Sequence, residues 1–190
     1  MGPAPTETDH ELIVAAIEGD VASFGRLVGR YQRDALRIAV VALGSSTDAD
    51  DVAQDAFVKV HRALPGFDLT APFRPWLYRI VVNTARSRQR TGRRIDNLRL
   101  RVSAFDAASS TATADGPADI AVHLDQRRRL VDAINRLSAD DRLILTYRWY
   151  EQLSEAEIAD ALDCPAGTVK SRLSRAMQRL RTELTEMSEP

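Results

Sequence analysis

The chain has 190 residues, 44% of them hydrophobic and 28% charged, with a formal charge of −1. That length fits one ordinary domain or two small ones, each able to bury a core, and no apolar run approaches the ~20 residues of a membrane span. A single cysteine, Cys164, excludes an internal disulfide and fits a reducing cytoplasm.

The N-terminus, MGPAPTETDHELI, lacks a basic segment followed by an apolar one, so no secretion signal is expected. From there the chain reads as helices, because apolar residues recur at spacings of three and four and no useful length alternates. Segment 10–18 carries Leu12, Ile13, Ala16 and Ile17. After Asp20, a good N-cap, 21–43 carries Phe24, Leu27, Val28, Tyr31, Leu36 and Ala39. GSSTDAD at 44–50 ends that helix and starts another, with Val52, Ala53, Ala56, Phe57 and Val60, running to about Leu64. PGFDLTAPFRP at 65–75 holds three prolines and a glycine and cannot be helix throughout. A helix from about Phe73 to Arg90 follows, apolar in its first half and arginine-rich in its second.

Residues 103–119 are small and polar, unable to bury enough surface to offset ordering, and read as a flexible linker. The second half gives four helical segments. The first spans 124–136 with Leu130, Val131 and Ile134. Ser138 opens 139–150 through SADD, and Ser154 opens a short helix to about Leu162 through SEAE, both capping-box patterns. DCPAG at 163–167 is a turn with Pro165 and Gly167, and Thr168 caps a last helix to about Thr185.

The near-zero net charge conceals segregation. Residues 86–101 hold seven arginines against one aspartate, 167–181 hold five basic residues and no acid, and the acids gather in TDADDVAQDAF at 47–57. Two basic patches and one acidic patch point to several macromolecular partners, against the plainer reading of solvated helix faces.

A short helix, a tight turn and a longer basic helix form the helix-turn-helix pattern. Ile158, Ala161 and Leu162 are expected to pack against Val169 and Leu173, with small Ala159 easing the approach. The exposed face then carries Lys170, Ser171, Ser174, Arg175 and Gln178, types suited to base edges and phosphates, and Arg172, Arg179 and Arg181 add charge. The plainer alternative is a basic amphipathic helix in a small bundle.

DADDVAQDAFVKVHRAL, then FRPWLYRIVVNTARSRQR, then LSEAEIADALDCPAGTVKSRLSRAMQRLR together resemble a bacterial extracytoplasmic function (ECF) sigma factor, the compact branch of the sigma-70 family. The resemblance covers about 10–185. It implies an all-α protein of two small helical domains: a region 2 domain at 10–96, a flexible linker at 97–123 and a region 4 helix-turn-helix domain at 124–187. By the same resemblance, Asp51, Gln54, Asp55, Phe57 and His61 dock on the clamp helices of the polymerase's largest subunit. Carboxylates and a glutamine beside apolar groups suit such a basic partner; the acids at 48, 50 and 51 alone would equally fit a helix N-terminus.

The loop 65–74 and the helix after it resemble the part that reads and melts the −10 element. Phe67 and Asn83 match positions at the melted strand, and Arg79, Arg86, Arg88, Arg90, Arg93 and Arg94 match phosphate-holding positions; capture of unstacked bases needs a shaped loop, a polar reader and positive charge. Trp76 has two readings, stacking on a base or starting an apolar stripe with Ile80, and the stripe favours core. The few aromatics nearby, Phe67, Phe73 and Tyr78, imply a stringent promoter. Thr168, Lys170, Ser171, Arg172, Ser174, Arg175 and Arg179 match the −35 reader, though Ser174 is smaller than the residue some relatives carry. Leu143, Ile144 and Tyr147 are the candidates for the polymerase flap tip. A co-expressed anti-sigma factor, often membrane-bound, is a further implied partner; the expected place of action is the cytoplasm.

No enzyme is indicated. His10, His61 and His123 lie far apart, no histidine neighbours Cys164 in a metal-like spacing, and no phosphate loop or nucleophile motif is present. No metal, cofactor or small-molecule substrate is therefore expected, and Cys164 reads as packing rather than a redox sensor. Two other classes remain: an autonomous regulator whose N-terminal module senses a ligand or dimerises, and an inhibitor-type protein that binds polymerase without reading DNA.

Overall fold

The computed structural model describes residues 7–99 and 128–186, with the backbone alone along 92–99. Every regular element among the described residues is helical. Helix α1 (Asp9–Ile17) opens on a capping box, Thr8 Oγ1 accepting from the Glu11 N–H while Glu11 Oε2 accepts from the Thr8 N–H. Helix α2 (Val21–Leu43) starts at Asp20, whose carboxylate accepts from the Ala22 N–H at 2.9 Å. It ends at Gly44, whose φ of 77° only glycine adopts cheaply. A Cβ added there would stand 2.8 Å from the Arg142 guanidinium, so the turn also makes room for a residue from the far half of the chain.

Helix α3 (Ala49–Ala63) carries Asp50 and Asp51 in its first turn and His61 and Arg62 in its last, complementing the helix dipole at both ends. It tightens into one 3₁₀ turn, Leu64–Gly66. Helix α4 (Phe73–Arg99) is longer than the sequence pattern led one to expect, continuing past Arg90 through a segment rich in arginine, a strong helix former. It takes in the first residues of the expected linker; the rest of that linker, from 100, lies outside the described residues. Helix α4 packs on α2 and α3, and its Leu77 and Val81 share one fully buried core with Leu27, Ile38, Val52 and Val60. Each such side chain contributes roughly 1.5–3 kcal/mol of transfer free energy.

The second module begins with a helix over 128–136, here α5. Ser138 caps α6 (Ala139–Leu145), but only half of the expected box forms: Ser138 Oγ accepts from the Asp141 N–H and donates to Asp141 Oδ2. The expected single helix 139–150 changes pitch into a π turn, Thr146–Tyr150, closed by the Glu151 N–H on the Thr146 carbonyl at 2.9 Å. That turn sends Tyr147 inward and leaves Trp149 and Tyr150 56% and 65% exposed. Helix α7 (Glu155–Leu162) has the complete capping box, Ser154 with Glu157. The Ser154 N–H, and then its hydroxyl, hold the Glu157 carboxyl below the usual carboxylate range.

Helix α8 (Ala166–Glu186) starts two residues before Thr168. The sharp turn rests on Asp163, at φ 52°, rather than on Gly167. Thr168 is therefore inside the helix, its N–H and hydroxyl both donating to the Pro165 carbonyl, and it is not the cap the sequence implied. Ile158, Ala161, Leu162 and Val169 are buried and Leu173 partly so, as the helix-turn-helix pattern requires. Cys164 is a free thiol packed against this core.

The two modules are in direct contact. Helix α2 packs on α6 and α4 on α7, and one cluster of buried side chains runs through both halves.

Candidate nucleic-acid and protein interfaces

Three helical faces carry most of the residues singled out above. On α3, Asp51, Gln54, Asp55 and His61 are exposed, while Val52, Ala53, Ala56 and Val60 fill the opposite side. On α4, 100° per residue places Arg79, Asn83, Arg86 and Arg90 within an arc of about 60°. Asn83 and Arg90 are exposed there, Arg79 and Arg86 half-buried. On α8, Lys170, Ser171, Ser174 and Arg175 project to solvent opposite buried Val169 and Ala176. Arg93 and Arg94 lie on α4 beyond the residues whose side chains are described.

Several of these cations already hold acids. Arg88 Nη2 donates to Asp48 at 2.9 Å and to Asp51 at 2.8 Å, bridging the start of α3 to the tail of α4. These carboxylates hold the Arg88 guanidinium above the ordinary arginine range. Arg86 donates to Asp140 and Arg179 to Asp141. Among the described residues no helix is long and apolar enough to cross a membrane and no cluster of histidine, cysteine and acid has metal-holding geometry.

Residues 27–95 match the Sigma-70 region 2 family and residues 127–180 the Sigma-70, region 4 family. An ECF RNA polymerase sigma-E factor of Haemophilus influenzae is 33% identical over 181 residues, covering 93% of this chain and 95% of that protein. The sigma-E factor of Escherichia coli K12 is 35% identical, covering 91% and 92%. The chain belongs to the ECF branch of the sigma-70 family. It is an RNA polymerase sigma factor. Among solved structures it is similar to CnrH in complex with the cytosolic domain of CnrY, at TM-score 0.66 and 29% identity, covering 95% of this chain and 99% of that one. The fold also matches sigma factor RpoE of Bartonella quintana, solved with the anti-sigma factor NepR, at TM-score 0.66, 24% identity and coverage of 87% and 98%.

Within this sigma factor some singled-out side chains face inward. Phe57 is largely buried in the core of the first module and lines a cavity beside Gln54. His61 lies edge-on to Phe24, 4.8 Å between ring centroids. Phe67 is also buried, in an aromatic cluster with Phe73 at 5.8 Å and Trp76 at 4.8 Å. Trp76 packs on both rings and on the core, which supports its reading as core. Trp76→Ala is expected to lower first-module stability by about 3 kcal/mol, read as an earlier urea midpoint, with Trp76→Phe restoring much of the loss.

Leu143, Ile144 and Tyr147, the expected flap-tip contacts, are all buried: the first two in the second module's core, Tyr147 against the first module. The exposed apolar surface lies instead around the π turn. A groove of about 580 Å³ is lined by Val41, Leu130, Ile134, Trp149, Tyr150 and Leu180, with Arg37 and Arg142 on it. The WY pair was its sequence signal, and only the π turn decides that those rings face out. A smaller cavity of about 270 Å³ lies under the Pro-rich loop, between Phe67, Leu69, Pro72 and Arg74, with Glu157 of α7 across from them.

Proposed function

We propose that this sigma factor docks on core RNA polymerase through the exposed acids of α3, reads and opens the −10 element with the outer face of α4, and reads the −35 element with the exposed face of α8. The observation that carries this is the α4 face: one polar reader, Asn83, stands among Arg79, Arg86 and Arg90 on the solvent side of a helix whose other side is core. An amide for a base edge flanked by cations for phosphates is what capture of an unstacked strand demands. The first-module wall of the cavity beneath the Pro-rich loop, Phe67, Leu69, Pro72 and Arg74, is the candidate seat of an extruded base. Arg93 and Arg94 extend the charge along the same helix, and on α8 Arg172 and Arg179 supply backbone charge beside Lys170, Ser171, Ser174 and Arg175.

The chain supplies no catalytic group; phosphoryl transfer belongs to the polymerase. Its place of work is the cytoplasm, and the linker divides a region 2 domain from a region 4 domain. The second-module side of the apolar groove, with exposed Trp149 and Tyr150, is the surface for the flap tip, and an anti-sigma factor like those bound to the relatives in solved structures is a second partner.

Core polymerase plus this chain is expected to give transcripts starting at defined promoters, whereas the chain alone binds those promoters weakly. Tight promoter binding by the chain alone, with no transcripts from the mixture, would favour the autonomous-regulator reading.

A further inference from the structure

Glu151 is the most enclosed acid of the molecule's inter-module seam, its side chain 3% exposed. It belongs to the second module, yet its carboxylate is held by three side chains of the first. Arg37 donates through Nε at 2.8 Å, Arg74 through Nη2 at 3.0 Å and the Tyr78 hydroxyl at 2.6 Å. Arg74 also donates to the Glu151 carbonyl at 2.8 Å. Beside this socket Tyr147 stacks on Tyr78, centroids 5.6 Å apart and planes 3° from parallel, and the Arg37 guanidinium lies 4.4 Å from the Tyr150 ring centroid. Arg142 reaches back from α6 to the Val41 carbonyl at 3.1 Å, and Arg86 pairs with Asp140.

This arrangement conflicts with simultaneous promoter contact. The −10 and −35 elements lie about 25 base pairs apart by their names, ~85 Å at ~3.4 Å per pair. Here α4, the −10 helix, packs directly on α7 of the helix-turn-helix, and packed helix axes stand only ~8–10 Å apart. The 28 residues from 100 to 127 have a covalent reach of ~90–100 Å at most, enough to let the modules part but not while the seam is made.

We propose that Glu151 is the plug of an intramolecular latch: seated in the Arg37–Arg74–Tyr78 socket, it holds the free sigma factor in a closed form that cannot span a promoter, and assembly with core polymerase opens it. The inference rests on the reading of α4 and α8 as the two promoter readers. The seam is strong enough to form and imperfect enough to yield. Arg74 Nε and the Tyr147 hydroxyl are buried without a hydrogen-bond partner, and both regain water when the modules part. Removing the carboxylate charge leaves Arg74, whose acid partner is Glu151, facing a neutral group at the seam, while Arg37 keeps Asp34, so the closed form loses more than the open one.

The test uses the full chain with Cys164→Ser and fluorophores on Val21→Cys and Glu186→Cys, both exposed helix ends, followed by single-molecule energy transfer. The wild-type sequence is expected to give one high-transfer population, converted to low transfer by core polymerase. Glu151→Gln should raise the low-transfer fraction at least tenfold without core, with unchanged helical circular dichroism, and tighten apparent core affinity as the competent fraction grows. Arg37→Gln, on the partly exposed side of the socket, should open the chain in the same direction, and the two changes together should open it less than the product of their separate effects. Low transfer in the unbound wild-type chain, or high transfer kept by both variants, overturns the latch. A chain that drives promoter-specific transcription yet fails this test keeps its sigma role and loses only the latch.

Discussion

Asp55→Arg is expected to weaken binding to core polymerase by roughly 100-fold while leaving the fold intact. Asp55 is exposed on α3, one turn after Asp51 and next to Gln54, and among the described residues no ion pair ties it down. Reversing it therefore takes nothing from the core. It places a cation where the docking surface calls for an anion, and like-charge juxtaposition in an interface costs several kcal/mol; a loss of about 3 kcal/mol corresponds to about two decades in Kd. Asp51→Arg is the weaker test, because Asp51 also accepts from Arg88 and its loss disturbs the joint between α3 and α4. Fluorescence anisotropy of labelled chain titrated with core enzyme measures the effect. Equal affinities for Asp55→Arg and the parent chain would place the docking surface elsewhere.

Much of the fold was legible because its boundaries are local. Asp20, Gly44 and Ser154 cap helices through side-chain bonds or a backbone conformation set within three residues, so their sequence neighbourhood suffices. The α3 and α8 faces were legible for a similar reason: acids and cations at helical spacing opposite apolar stripes must face solvent once the stripes are buried. Phe57 and Phe67 show the limit. An aromatic beside a functional patch looks the same whether it reaches out or in, and only the packing of Phe67 on Phe73 and Trp76 decides.

The seam between modules left no mark a sequence reader can weigh. Glu151 follows two exposed aromatics and looks like an ordinary surface acid. Its partners Arg37 and Arg74 lie 114 and 77 residues away, and Tyr78 sits in a stripe that reads as plain core. Burial pushes the Tyr78 hydroxyl up, and Glu151 as acceptor pushes it further. Arg74 and Arg37 are partly desolvated, yet Tyr78 and Glu151 around the first, and Glu151 and Asp34 around the second, keep both firmly protonated. The π turn was equally hidden: with it Tyr147 faces inward while Trp149 and Tyr150 meet solvent.

Asn83→Ala is expected to slow or weaken strand opening by ten- to a hundredfold while leaving holoenzyme assembly within about twofold. Asn83 is exposed, and among the described residues its side chain makes no hydrogen bond that truncation would break, so the change costs the free protein little. On the proposed reading it removes a donor and an acceptor for a base edge, and a well-placed contact of that type discriminates by ~1–3 kcal/mol. The loss falls on the melted state alone, because a base within the duplex has its pairing edge already satisfied. Permanganate reactivity of unpaired thymines at a promoter the holoenzyme uses reports opening, and core titration reports assembly. Arg90→Ala on the same face, lacking a base-reading amide, should instead lower affinity evenly across sequences and reduce the dependence of log K on log salt by about one ion. If Asn83→Ala altered assembly and opening to the same extent, the amide would be supporting the helix rather than the strand.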